Sequence, residues 1–118
     1  VIFSSTKVAL ITAEGNILPG KSNPVYSNNP TIGSDTTALQ IRTAANDKRV
    51  KAIIMRVNSG GGSAVASDVI AREIVRAKQK GKKVVVSFGN VAASGGYWIS
   101  MYADRIIAQP LTITGSIG

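Results

Sequence analysis

Two runs of apolar, mostly β-branched residues limit what this chain can become: residues 50–57 read VKAIIMRV and residues 83–88 read KVVVSF. Both are too apolar for exposed strands, and both have the length of strands buried inside a parallel sheet. The first breaks at Asn58-Ser59-Gly60-Gly61-Gly62, which is expected to end the strand, and the second at a tight Gly89-Asn90 turn. A helical pattern follows each break. In the first helix Ser63 is the expected cap, Ala66, Val69, Ile70, Ile74 and Ala77 share a face, and Gly81 supplies the left-handed end. The second helix is expected over residues 94–103, before a last short strand at residues 105–108. Strand, loop, helix, strand in this order implies parallel crossovers, with the functional loops together at the carboxyl ends of the strands. Residues 58–62 and 90–95 therefore converge.

Upstream, residues 7–13 (KVALITA) read as another strand. Residues 19–33 carry three prolines among Asn, Ser and Gly, so a mobile loop is expected there. Ser34 or Asp35 then caps a helix with Leu39, Ile41, Ala44 and Ala45 near one face, ended by Asn46-Asp47. The 118 residues fit one α/β domain, whose largely parallel sheet with crossover helices rests on Val, Ile, Leu and Ala because aromatic residues make up only 5%.

Cysteine and histidine are absent. That excludes disulfide frameworks, thiolate nucleophiles, the usual zinc sets and a Ser-His-Asp triad drawn from this chain, and no metal or other cofactor is expected. The formal charge is +8, but Lys78, Lys80, Lys82 and Lys83 gather where a helix ends, and cations there complement its dipole and reach its last carbonyls. No nucleic-acid partner is expected. Neither an apolar run of about 18 residues nor a secretory signal pattern occurs, so any membrane anchor is expected to lie outside this chain.

One hydroxyl, Ser94, lies among residues with almost no side chain, Val91-Ala92-Ala93-Ser94-Gly95-Gly96, where a buried strand turns into a helix. Such a turn can present a nucleophile, and a helix start adds free amides and a favourable dipole. It can equally be an ordinary N-cap with glycines placed for packing. The Gly60-Gly61-Gly62 loop offers unobstructed amides beside it, and those of Gly62 and Gly95 can form an oxyanion pair. A phosphate-binding loop is the competing reading, but the spacing fits neither glycine-rich nucleotide signature. Tyr97, Trp98 and Met101 follow at helical spacing and are expected in core or interface. Asp104 and Arg105 read as a solvated pair.

The segments RVNSGGGSAVASDVI, VVVSFGNVAASGGYWIS and LTITGSIG together resemble the core of the signal peptide peptidase A family of serine-lysine peptidases, over residues 50–118. The resemblance implies an incomplete domain of the Clp-crotonase fold. It makes Ser94 the nucleophile, Gly62 and Gly95 the oxyanion donors, and Ser116 of TGSIG the serine that orients the general-base lysine. Gly60 stands where the family usually has proline, which loosens the loop. None of the lysines matches the family's base, so the base is expected outside this chain and the 118 residues alone are expected to be inactive. The implied substrates are remnant signal peptides or other apolar peptides, held in a groove edged by Val57, Asn58, Ser59 and Gly61. The family also implies a homo-oligomer at the cell membrane or its outer, periplasmic face. A crotonase-like acyl-coenzyme A enzyme and a non-catalytic scaffold are the alternatives.

Overall fold

The computed structural model describes residues 6–117, and the Gly118 that closes the TGSIG motif lies outside them. The main sheet has the order β1-β4-β5-β6, formed by Lys7–Glu14, Val50–Ser59, Lys83–Ala93 and Arg105–Ile107. A further strand, β7 (Ile113–Gly115), pairs with β5 beyond the end of β6. Every pairing in this sheet is parallel. A second, two-stranded sheet joins β2 (Asn16–Leu18) to β3 (Thr31–Gly33). Helices α1 (Ser34–Asn46) and α2 (Ala64–Gln79) connect β3 to β4 and β4 to β5, and α3 (Gly95–Trp98) follows β5.

The period-2 rule decides which side chains enter the core. Along β4, Ile53, Met55, Val57 and Ser59 are buried while Ala52, Ile54, Arg56 and Asn58 are half-buried. The buried row meets Ile41, Ala44 and Ala45 of α1 and Ala66, Ile70, Ile74 and Ala77 of α2 in one cluster. Each fully buried isoleucine contributes about 1.5–3 kcal/mol. Leu39 and Val69, assigned to the buried faces from spacing, are exposed. So are Val8 and Leu10, whose strand β1 buries only its helix-facing side chains Ile11 and Ala13.

The two central strands outlast their apolar runs. Asn58 and Ser59 continue β4, and β5 passes through Gly89-Asn90 to Ala93 instead of turning there. The signal for a turn was a bulge: Val57 pairs with Phe88 but Ser59 pairs with Ala92, so Asn58 stands opposite three residues of β5. The Asn58 carboxamide oxygen fills the gap by accepting the Val91 N–H at 3.2 Å.

Residues 19–33 carry hydrogen bonds near both ends. Ser22 accepts from the Gly33 N–H and donates its own amide to Thr36 Oγ1, and the Asn23 amide donates to Thr31 Oγ1. The last three residues of that stretch form β3 with Ile32 buried, which the prolines had masked. Gly33 is the cap of α1, so Ser34 and Asp35 lie inside its first turn and no side chain caps it. Ser63 does cap α2, accepting from the Ala66 N–H at 3.1 Å. The α2 end closes as a Schellman motif: the Lys82 and Gly81 amides donate to the Ala77 and Lys78 carbonyls, with Gly81 at φ +85°.

Three of the four lysines of this end reach carbonyls of neighbouring elements rather than their own helix. Lys82 Nζ donates to the Asp47 and Val50 carbonyls, Lys78 Nζ to that of Tyr102, and Lys80 Nζ meets Asn46 Oδ1. Asp104 pairs with Lys78 at 3.6 Å and accepts the Val84 N–H at 2.8 Å, so its partner is not the adjacent Arg105. Among the described residues no helix is long and apolar enough to cross a membrane.

Candidate active site

Ser94 sits at the carboxyl end of β5 with φ 53° and ψ −119°, a backbone region that non-glycine residues enter only at a cost of about 1–3 kcal/mol. The surroundings impose it. The Ser94 N–H donates to the Gly115 carbonyl of β7 at 2.7 Å, and the Ser94 carbonyl accepts the amides of Tyr97 and Trp98 at 3.1 and 3.0 Å. Its side chain makes no capping hydrogen bond, so the hydroxyl stays exposed instead of closing the helix. That observation removes the ordinary N-cap reading. The helix after it is four residues long rather than ten, and its contribution is free N–H groups more than a macrodipole.

The glycine loop is built by three elements. Ser59 Oγ donates to the Gly15 carbonyl at 2.6 Å and accepts the Gly61 N–H at 3.0 Å, which anchors the start of the loop. Ile17 of β2 then bridges Gly62: its amide donates to the Gly61 carbonyl and its carbonyl accepts the Ser63 amide. In a parallel bridge of this kind the flanked residue turns its own N–H to the opposite side. Gly62 lines a cavity together with Ser94 and Gly95.

The two loops touch backbone to backbone. A Cβ on Gly61 would lie 2.8 Å from the Gly95 nitrogen and 3.0 Å from Ser94 Cβ, and one on Gly95 would lie 2.6 Å from Ser67 Oγ. Glycine is the residue that permits this approach. Among the described residues neither the Gly62 nor the Gly95 amide donates to another protein group. The cavity holds about 410 Å³. Its wall is completed by Ala64, Ser67, Tyr97, Trp98, Met101 and Ile117, and no charged side chain lines it. An exposed hydroxyl beside two free amides in an uncharged, mostly apolar cavity can support acyl transfer, with the amides facing a developing oxyanion.

The remaining sequence assignments divide. Ser116 follows Gly115 directly, at φ 55°, and so stands at the same end of the sheet as Ser94. Val57 is fully buried and paired on both sides, to Ala13 and Phe88. Asn58 and Ser59 use their side chains to shape the bulge and the loop, and Gly61 is packed against the backbone of residues 93–95. These four support the site without lining the cavity. Tyr97 meets Phe88 edge-on at 6.2 Å and, with Trp98 and Met101, also forms cavity wall.

Three contributors escaped the sequence reading. Ile17 belongs to a three-residue strand with no periodic signal. Ala64 and Ser67 belong to the first turn of α2, where the run of small residues after the glycines was the available sign. β7 is held to β5 by Thr112 Oγ1 donating to the Gly89 carbonyl and Thr114 Oγ1 to that of Ala92.

The fold and this site define a class: an α/β domain of the Clp-crotonase kind with a serine on a strained strand-to-helix elbow. Peptidase family S49 matches residues 76–118. Protease 4 of Salmonella typhi is 54% identical over 111 residues, covering 94% of this chain and 17% of that protein. Protease 4 of Haemophilus influenzae is 51% identical over 112 residues, 95% of this chain and 17% of its own length. The chloroplastic serine protease SPPA of Arabidopsis thaliana is 41% identical over 112 residues, 95% and 16%. Among solved structures, a mutant of the 1510-N membrane-bound stomatin-specific protease superposes with a TM-score of 0.71 at 23% identity, over 98% of this chain and 49% of that one, a likeness of fold. The chain belongs to the signal peptide peptidase A family, peptidase family S49. It spans less than a fifth of the length of these curated relatives.

Proposed function

We propose that this chain carries the nucleophile half of a serine peptidase site. Ser94 Oγ attacks the peptide carbonyl while its proton passes to a neutral lysine amine, and the Gly62 and Gly95 amides hold the oxyanion. Collapse breaks the C–N bond, the lysine returns the proton to the departing amine, and water then releases the acyl group from Ser94. The observation that carries this reading is the exposed Ser94 hydroxyl, strained at the end of β5 beside two unengaged amides.

The base is a lysine outside these 118 residues, oriented by Ser116. In support, none of the eight lysines of this chain lines the Ser94 cavity, and Lys78, Lys80 and Lys82 are engaged elsewhere. The mostly apolar wall of Tyr97, Trp98, Met101 and Ile117 suits apolar peptides such as signal-peptide remnants. Coenzyme A enolate chemistry needs the amides but no nucleophile, so the exposed Ser94 hydroxyl weighs against it.

The test is hydrolysis of an apolar peptide by the intact protein. Ser94→Ala is expected to lower kcat by a factor on the order of 10⁶ where chemistry limits the rate. Hydrolysis by residues 1–118 alone that disappears in Ser94→Ala would place the base within this chain and overturn the assignment of an external lysine.

A further inference from the structure

A second concave site lies between α1 and α2 and shares no residue with the Ser94 cavity. Its centre is Glu73, whose side chain is 4% exposed. Arg42 donates to this carboxylate through Nε at 3.4 Å and Nη2 at 3.1 Å, and Arg76 through Nη1 at 3.1 Å. Lys80 adds a third cation, with Nζ on the oxygen of Asn46. These groups line a cleft of about 250 Å³.

One guanidinium suffices to neutralise a buried carboxylate. Here two guanidiniums pair with a single carboxylate and Lys80 lines the same cleft, so the lining carries an excess of two positive charges. The donors are also not exhausted. Arg42 keeps Nη1, Arg76 keeps Nε and Nη2, and the two side chains remain 52% and 59% exposed. Glu73 already holds Arg42 by two hydrogen bonds and Arg76 by one, so less freedom is lost when they take a second acceptor. Arg72, four residues before Arg76, pairs instead with Asp68 at 2.7 Å, and neither residue lines the cleft.

We propose that the Arg42–Arg76–Lys80 cleft binds a phosphate-type anion, either free phosphate or the phosphate of a lipid headgroup. Paired guanidinium forks match the oxygens of a phosphate, and the volume admits it with room for a substituent. Chloride has neither the size nor the several acceptors to engage three separate donors.

The test is calorimetric titration of the protein with inorganic phosphate at low, constant ionic strength, with chloride as the balancing salt. Two variants leave Glu73 neutralised: Lys80→Gln removes the third cation, and Arg42→Lys keeps the charge but removes the fork. Urea unfolding of each variant checks that the fold persists. Saturable one-to-one binding, weakened about tenfold in each variant, is expected from the loss of a charge-assisted hydrogen bond. A parallel arm uses phosphatidylcholine vesicles with and without phosphatidylglycerol. Binding to the anionic vesicles that both variants weaken and that phosphate displaces assigns the site to headgroups. Phosphate binding by the protein without such vesicle binding assigns it to the free anion. Absence of saturable phosphate binding, or an affinity unchanged in both folded variants, overturns the proposal.

Discussion

Gly61→Ala tests whether the approach of the two loops is built into the backbone. Gly61 has φ +105°, a conformation costing a residue with a Cβ about 1–3 kcal/mol. The new methyl would lie 2.8 Å from the Gly95 nitrogen, 3.0 Å from Ser94 Cβ and 3.2 Å from the Ala93 carbonyl oxygen. Two of these three atoms belong to backbone, Ala93 in the β7 pairing and Gly95 in α3, so they cannot rotate aside. Overpacking of this kind adds about 1–3 kcal/mol. The total of about 2–6 kcal/mol is a large part of the stability of an ordinary domain, about 5–15 kcal/mol. Gly60→Ala is the internal control, because a Cβ there has no neighbour within 4 Å and no positive φ is required. It is expected to be neutral or stabilising by up to about 1 kcal/mol. In urea unfolding followed by circular dichroism, the Gly61→Ala midpoint should fall by at least about 1 M while that of Gly60→Ala holds or rises. Equal shifts for the two variants, or a Gly61→Ala midpoint unchanged, would refute the geometry.

Two further predictions follow from single contacts. Ser94→Gly relieves the positive φ while deleting the hydroxyl, so unfolding free energy should rise by about 1 kcal/mol as activity disappears; an unchanged or lower value would show the elbow is unstrained. The Asp104 carboxyl is held below the ordinary value of about 3.9, first by the Val84 N–H and then by Lys78 and Lys83. Its folded pKa is depressed, so its contribution is complete above about pH 4 and disappears as pH falls through the lowered value. Thermal midpoints recorded from pH 2 to 6 should therefore decline less steeply with acid in Asp104→Asn than in the parent protein. Identical slopes would contradict that assignment.

What the sequence disclosed, and what it hid, follows the range of the forces involved. The runs at residues 50–57 and 83–88 declared two central parallel strands because both edges of each are paired and alternate side chains are fully buried, while the opposite row, Ala52, Ile54 and Arg56 in β4, is half-buried. Ser63 and Gly81 were legible because capping is a local matter of one side chain and one φ. Leu39 and Val69 misled because helical spacing places a residue near a face without saying how far the neighbouring element extends. The bulge at Gly89-Asn90 carried turn residues for a different reason, the space Asn58 needs beside Gly89. β3 and β7 are three residues long, and such strands exist through pairing alone. That Ser94, Gly62 and Gly95 come together around one cavity was legible from small residues at two strand ends. The positive φ of Ser94 was not, because it is imposed by the Gly115 carbonyl 21 residues later in the chain. Nor were the contacts of Asn58 with the Val91 amide and of Ser59 with the Gly15 carbonyl, which join residues 33 and 44 positions apart.

The central claim is that the Ser94 hydroxyl is the attacking group. Its most direct measurement is labelling of the intact protein with a fluorophosphonate probe, followed by mass-spectrometric mapping of the modified residue. The modification is expected on Ser94 alone and is expected to vanish in Ser94→Ala with the fold retained. A label on another residue, or labelling that survives in Ser94→Ala, would contradict the account.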